Sequence, residues 1–142
     1  MTIYGGGWFY DRRGKYSRKQ IYDELIEKGI FFTDYTPTFC PKVVDELSKA
    51  KVGDIIYLKS YIIKTKTVKI QAIGRFTDIG FVKKTIGGQE GTARSVDWKV
   101  KEELLSDPIS IKILSPTKHN TTFYEETNVE IIEKIMKRLN EE

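Results

Sequence analysis

The chain has 142 residues, 39% hydrophobic and 31% charged, which are the proportions of a globular domain rather than a disordered segment. Lysine and arginine number 24 against 20 aspartates and glutamates, a net charge of +4 that leaves room for a basic face without dictating one. One cysteine, Cys40, and one histidine, His119, exclude an internal disulfide and a Cys/His zinc site within the chain, and no apolar run is long enough to span a bilayer.

"TIYGGGWFY" reads as a first strand whose three glycines suggest a bulge or a close backbone approach. No basic region precedes its apolar residues, so a signal peptide is not expected there. Ser17 and Gln20 form a capping-box pattern, Ile21 and Leu25 share a face, and Gly29 stands at a C-cap position, which predicts a helix over Arg18–Lys28. "GIFFTDY" is a short strand. Pro41 then opens a second helix, Lys42–Ala50, with Val43, Val44 and Leu47 as its apolar stripe.

Asp54–Tyr61 and Thr67–Asp78 are rich in Ile, Val and Tyr and read as an antiparallel strand pair. Their apolar residues Ile55, Leu58, Ile70 and Ala72 are expected in the core. "FVKKTIGGQEGTA" carries glycines at 87, 88 and 91 and predicts a mobile loop. "RSVDWKV" and "PISIKIL" are two more strands. Thr127 and Glu130 suggest a second capping box, followed by a helix whose Val129, Ile132, Met136 and Leu139 would face the core. The sum is a single α+β domain spanning residues 1–142. Its five or six mostly antiparallel strands form a curled sheet or partial barrel flanked by helices.

The order of certain short motifs resembles the PUA-like superfamily, and within it the EVE-like branch, which includes McrB N-terminal-type domains and is related to YTH domains. The matching residues are the Trp8 start, "KGIFFTDY", Val52-Gly53-Asp54, Ser60, Ile73-Gly74 and Val96-Asp97-Trp98, over roughly residues 3–114. The hairpin insert "YIIKTKTVK" is longer than a minimal turn, and "FFTDYTPTF" lacks the tryptophan that often ends the corresponding strand. The resemblance implies a reader of DNA or RNA that takes a flipped base, modified or not, into an aromatic cage.

The residue types suit that chemistry. A base offers two flat apolar faces and a polar edge, and stacking on an aromatic side chain is worth roughly 1–3 kcal/mol. Trp8, Tyr10, Tyr35 and Tyr61 are the candidate cage rings, with Asp34 and Ser60 for the base edge. Arg12, Arg13, Lys15, Lys64 and Lys66 are candidates for phosphate contacts. Trp98 is expected in the core, and Gly53-Asp54 in a structural turn. Gly74 marks a close helix–sheet contact.

No metal ligand set or cofactor motif is present, and neither HExxH, Walker A nor GxSxG occurs. Glu102/Glu103 and Glu125/Glu126 read as solvated faces, and His119 has no visible catalytic partner. Two alternatives stay open: a protein-interaction or regulatory module, and a small hydrolase like the ASCH-type relatives, using Asp34 or Asp97 with a lysine. A nuclease or other effector protein is a candidate partner. The single cysteine points to the reducing cytoplasm.

Overall fold

A computed structural model describes residues 1–8, 14–113, 118–119 and 121–141. Among these residues, eight strands and four helices follow in the order β1 (Ile3–Gly7), α1 (Arg18–Lys28), β2 (Ile30–Thr33), α2 (Pro41–Lys49), β3 (Ile55–Ile62), β4 (Thr67–Phe76), β5 (Val82–Ile86), β6 (Gln89–Val100), α3 (Glu102–Ser106), β7 (Ile109–Lys112), β8 (Phe123–Glu125) and α4 (Val129–Asn140). The strand order is β2-β6-β4-β3-β1-β8, with β5 added to β6 and β7 to β4. Every pair is antiparallel except β1 with β3. The sheet is a curled half-barrel. Phe31 of β2 and Phe123 of β8, from the two ends of the strand order, meet with their rings tilted at 39° and centroids 5.8 Å apart.

This is α+β, as expected, but with eight strands instead of five or six. The first extra strand is β5. The segment predicted as a mobile loop forms a hairpin, Val82↔Ala93 through Ile86↔Gln89, around Gly87 and Gly88. Both glycines have positive φ (56° and 75°), which is what a two-residue type I′ turn requires. The second is β8, three residues that pair with β1.

The strands bury both faces, because alternate side chains of β3 enter two different cores. Ile56 and Leu58 join Phe31, Phe32, Trp98 and the apolar faces of α1 and α2 inside the half-barrel. Ile55 and Tyr57 join Ile70, Ile73, Leu104 of α3 and Ile131 and Ile135 of α4 on the other side. The last helix is rotated from its expected phase. Asn128, not Thr127, caps it by accepting from the Ile131 amide at 3.1 Å. Ile131 and Ile135 are therefore the fully buried residues, Ile132, Met136 and Leu139 flank them, and Val129 is 67% exposed.

The β1 glycines make room for rings. A Cβ on Gly5 would collide with the Tyr124 ring, and one on Gly6 with the Phe31 ring, on opposite faces of the strand. Gly74 is also a close approach, but to the Asp97 carbonyl and the Trp98 backbone of β6 rather than to a helix. Asp54 closes its turn as anticipated, accepting from the Thr2 amide at 3.0 Å and the Lys51 amide at 2.9 Å. Among the described residues, no helix is long and apolar enough to cross a membrane.

Candidate functional site

Two irregularities bring a polar cluster together at the end of β1. The β3–β4 ladder pairs Leu58 with Ala72 and then Lys59 with Ile70, so Gln71 has no opposite number and forms a β-bulge. A bulge re-aims the side chains around it. Here Ile70 faces one core and Ala72 the other, although two residues apart on a regular strand would share a face. The freed carbonyl of Gln71 accepts from the Tyr22 hydroxyl of α1 at 2.8 Å.

The Gln71 side chain is the centre of the cluster. Its Oε1 accepts from Trp8 Nε1 at 2.8 Å and from Ser60 Oγ at 2.9 Å. Ser60 Oγ in turn accepts from an Arg18 guanidinium nitrogen at 3.0 Å. The Arg18 guanidinium lies over the Trp8 ring, 3.9 Å from its centroid, close enough for a cation–π contact. Tyr22 packs edge-on against the same ring at 5.4 Å. Trp8 is consequently only 8% exposed and belongs to the half-barrel core, whereas Arg18, on the first turn of α1, is exposed.

Of the expected site residues, Trp8 and Ser60 are thus brought together, through Gln71. Tyr61 points away from them. It lies next to Ser60 on β3 and packs against the opposite core with Val68 and Ile111. Tyr35 follows β2 and has different neighbours: its ring meets Phe39 at 5.6 Å, and its carbonyl accepts from Thr92 Oγ1 at 2.8 Å. Asp34 is half-buried in the same turn, beside Gly91. Lys64 and Lys66 are exposed on the β3–β4 turn, beyond Ser60. Lys15 is exposed, with its ammonium 5.7 Å from the Tyr16 ring centroid. Tyr10, Arg12 and Arg13 lie outside the described residues.

Sequence reasoning missed Gln71; Arg18 is legible in it as one of the basic residues of "DRRGKYSRK" that could form a basic face, not as a partner of Trp8. Gln71 gave no signal, because a bulge is created by the partner strand.

A second polar cluster sits behind the same strands. Glu126, expected on a solvated face, is 3% exposed. It accepts from the Tyr57 hydroxyl, from the amides of Thr127 (3.0 Å) and Asn128 (2.9 Å), and faces His119 Nε2 at 3.0 Å. His119 therefore does have a carboxylate partner. The Tyr57 and Tyr124 hydroxyls are 2.6 Å apart, and burial pushes both phenols well above their ordinary pKa. Lys59 donates to the carbonyls of His119 and Thr121, each at 2.7 Å. Burial lowers its pKa to about 8, against the opposing pull of Glu126. This cluster ties the segment before β8 to β3 and closes the start of α4.

The largest buried charge elsewhere is Arg94, fully enclosed by Asp78 and by the Leu47 and Ala50 carbonyls at the end of α2. These partners give it a structural role. Asp97 is exposed and paired with Lys99 at 2.7 Å. Among the described residues, no group of three or more His, Cys, Asp or Glu side chains is arranged to hold a metal. No protein-family model matches the chain, and no curated protein is significantly similar to it.

Proposed function

We propose that the chain is a nucleic-acid-binding module, PUA-like and closest to EVE-like domains, that lodges a base of DNA or RNA at the Trp8–Arg18–Ser60–Gln71 cluster. The observation that supports it best is the Arg18 guanidinium. A flat cation lies on the indole where a stacked base would lie, and a hydrogen bond to Ser60 holds it there. An entering base takes that place, and the displaced arginine turns to a phosphate, a group its planar fork suits. Lys64 and Lys66 extend the positive edge along the hairpin turn. Modified and unmodified bases are both candidates, with a nuclease or other effector protein acting on the bound strand.

The test is a titration of labelled single-stranded DNA and RNA at several salt concentrations. Binding should weaken with salt. The double variant Lys64→Gln/Lys66→Gln should flatten the log–log dependence by about 0.7 for each phosphate no longer neutralised. Absence of any salt-dependent binding would refute the reading. A second reading, a protein-interaction module, is favoured by a separate surface: Phe39, Ile79 and Phe81 are 66%, 82% and 42% exposed. Phe81 also lines a cavity of about 450 Å³ with Pro37 and Thr92. That reading predicts one co-purifying protein, released by Phe81→Asp.

A further inference from the structure

We infer that the open edge of β5 takes an extended peptide as an added strand, and that this peptide sets an acidic side chain next to a large apolar one. The inference is independent of the base-binding reading. It rests on the protein-interaction reading and names the kind of partner and the way it is held.

The β5–β6 turn decides which backbone groups are free. Across Gly87 and Gly88, Ile86 and Gln89 form the closing hydrogen-bonded pair of a two-residue turn. Bonded and non-bonded pairs alternate along an antiparallel ladder. Ile86, Lys84 and Val82 therefore turn their N–H and C=O groups to β6, and Lys83 and Thr85 turn theirs outward. β5 pairs with no other strand, and among the described residues nothing bonds these outward groups. Val82, Lys83, Lys84 and Thr85 are all exposed.

An added strand would present alternate side chains to two surfaces. The residue opposite Lys83 shares its face. There Phe81, Lys83, Pro37 and Thr92 line the hollow of about 450 Å³. A second hollow of about 500 Å³ shares Phe81 and Pro37 and continues to Lys42 at the start of α2. Phe81 is 42% exposed between them, so a large apolar side chain finds a ring to cover. The neighbouring residue lies on the other face, opposite Lys84.

Charge separates the possible occupants. Glu90 and Asp45, the carboxylates lining the two hollows, are already paired, with Lys83 at 3.3 Å and Lys49 at 3.4 Å. Lys84 and Lys42 have no acidic partner among the described residues. A second copy pairing β5 with β5 would bring the lysines of both copies together, and like charges across strands are destabilising. A nucleic-acid strand would satisfy the lysines but offers no matching row of backbone donors and acceptors. An acidic, apolar peptide strand satisfies both.

The experiment selects peptides from a random phage-displayed library on the full chain and measures the synthetic peptides by fluorescence anisotropy. The selected sequences should share an acidic residue adjacent to Phe, Leu, Ile or Trp. Each backbone amide of the tightest peptide is then N-methylated in turn. Around the apolar anchor, every second methylation should weaken binding on the order of tenfold, and those between should not. Lys84→Glu and Phe81→Asp should each weaken it by a similar factor. The methylation scan alters only the ligand, so it decides the matter even if a variant fails to fold. No shared sequence, a basic one, or losses without the period of two would overturn the inference. Peptides that bind without that period but are released by Phe81→Asp would leave the protein-interaction reading standing. Oligonucleotide binding abolished by Lys84→Glu would give the edge to nucleic acid, and a dimer dissociated by Phe81→Asp would give it to a second copy. Either result overturns the inference.

Discussion

Replacing Lys59 by methionine should remove a pH dependence that the wild type carries. The side chain is buried, only 5% exposed, and burial lowers its pKa to about 8 from the ordinary 10.5. Below about pH 8 both the folded and the unfolded chain hold the proton, so the cost of burying the charge is fully present. Between there and the unfolded value the unfolded chain binds more protons, and stability rises with pH. From about pH 7 to about pH 9.5 the gain approaches ~2 kcal/mol at 1.36 kcal/mol per unit. Above pH 10 the buried tyrosines act in the opposite sense, because Tyr57, Tyr124 and Tyr22 are all held neutral in the fold and ionise more easily once unfolded.

The assay is urea unfolding of the wild type and Lys59→Met at those two pH values, with midpoints read at constant m. The wild-type midpoint should rise between them and the variant's should not. At pH 7 the variant forgoes two hydrogen bonds to carbonyls but is relieved of the desolvation cost, so its absolute stability is the less diagnostic quantity. Parallel midpoints in the two proteins would show that Lys59 titrates normally and is more hydrated than its position implies.

Ile135→Ala should cost about 2–5 kcal/mol and Val129→Ala under about 0.5 kcal/mol by thermal or chemical melting, since one is fully buried and the other exposed. Arg94→Met should destabilise by about 2–5 kcal/mol in the same melts, because it leaves the buried Leu47 and Ala50 carbonyls without their donor and takes the ion pair from the partly exposed Asp78. Trp8→Ala should also cost about 3–5 kcal/mol, whereas Trp8→Phe should lose mainly the bond to Gln71, about 0.5–1.5 kcal/mol. A Trp8→Ala protein as stable as wild type would place the ring outside the core.

Local signals read well. The Ser17–Gln20 capping box and the Gly29 cap lie within one helix, and both form as predicted, with Gly29 in the left-handed conformation. The Asp54 turn is equally local. Expectation and structure part where a distant partner decides. Val82–Thr85 is exposed throughout, so no apolar alternation marks it as a strand, and only pairing with β6 makes it one. In the last helix, adjacent isoleucines at 131 and 132 allow two phases, and the choice of Asn128 over Thr127 as cap rotates the buried face by one position. The site follows the same rule. Trp8 and Ser60 can be named from residue type, but the bulge that carries Gln71 between them is a property of the β3–β4 register. Glu126 looks solvated in sequence because its partners come from β3 and from a loop residue seven positions upstream.

The bare stretch of β1 has a mechanical consequence. At Gly5 and Gly6 a single thickness of peptide separates the Tyr124 ring from the Phe31 ring, and these belong to the two separate cores. The partition has no side chains of its own to absorb a displacement, and close-packed interiors transmit strain rather than dissipate it. A side chain at Gly5 would displace the Tyr124 ring, whose hydroxyl meets that of Tyr57, the tyrosine that donates to Glu126 ahead of α4. The two cores thus meet across this bare stretch with only the β1 backbone between two rings, so a larger residue at either glycine would unseat an aromatic in one core or the other.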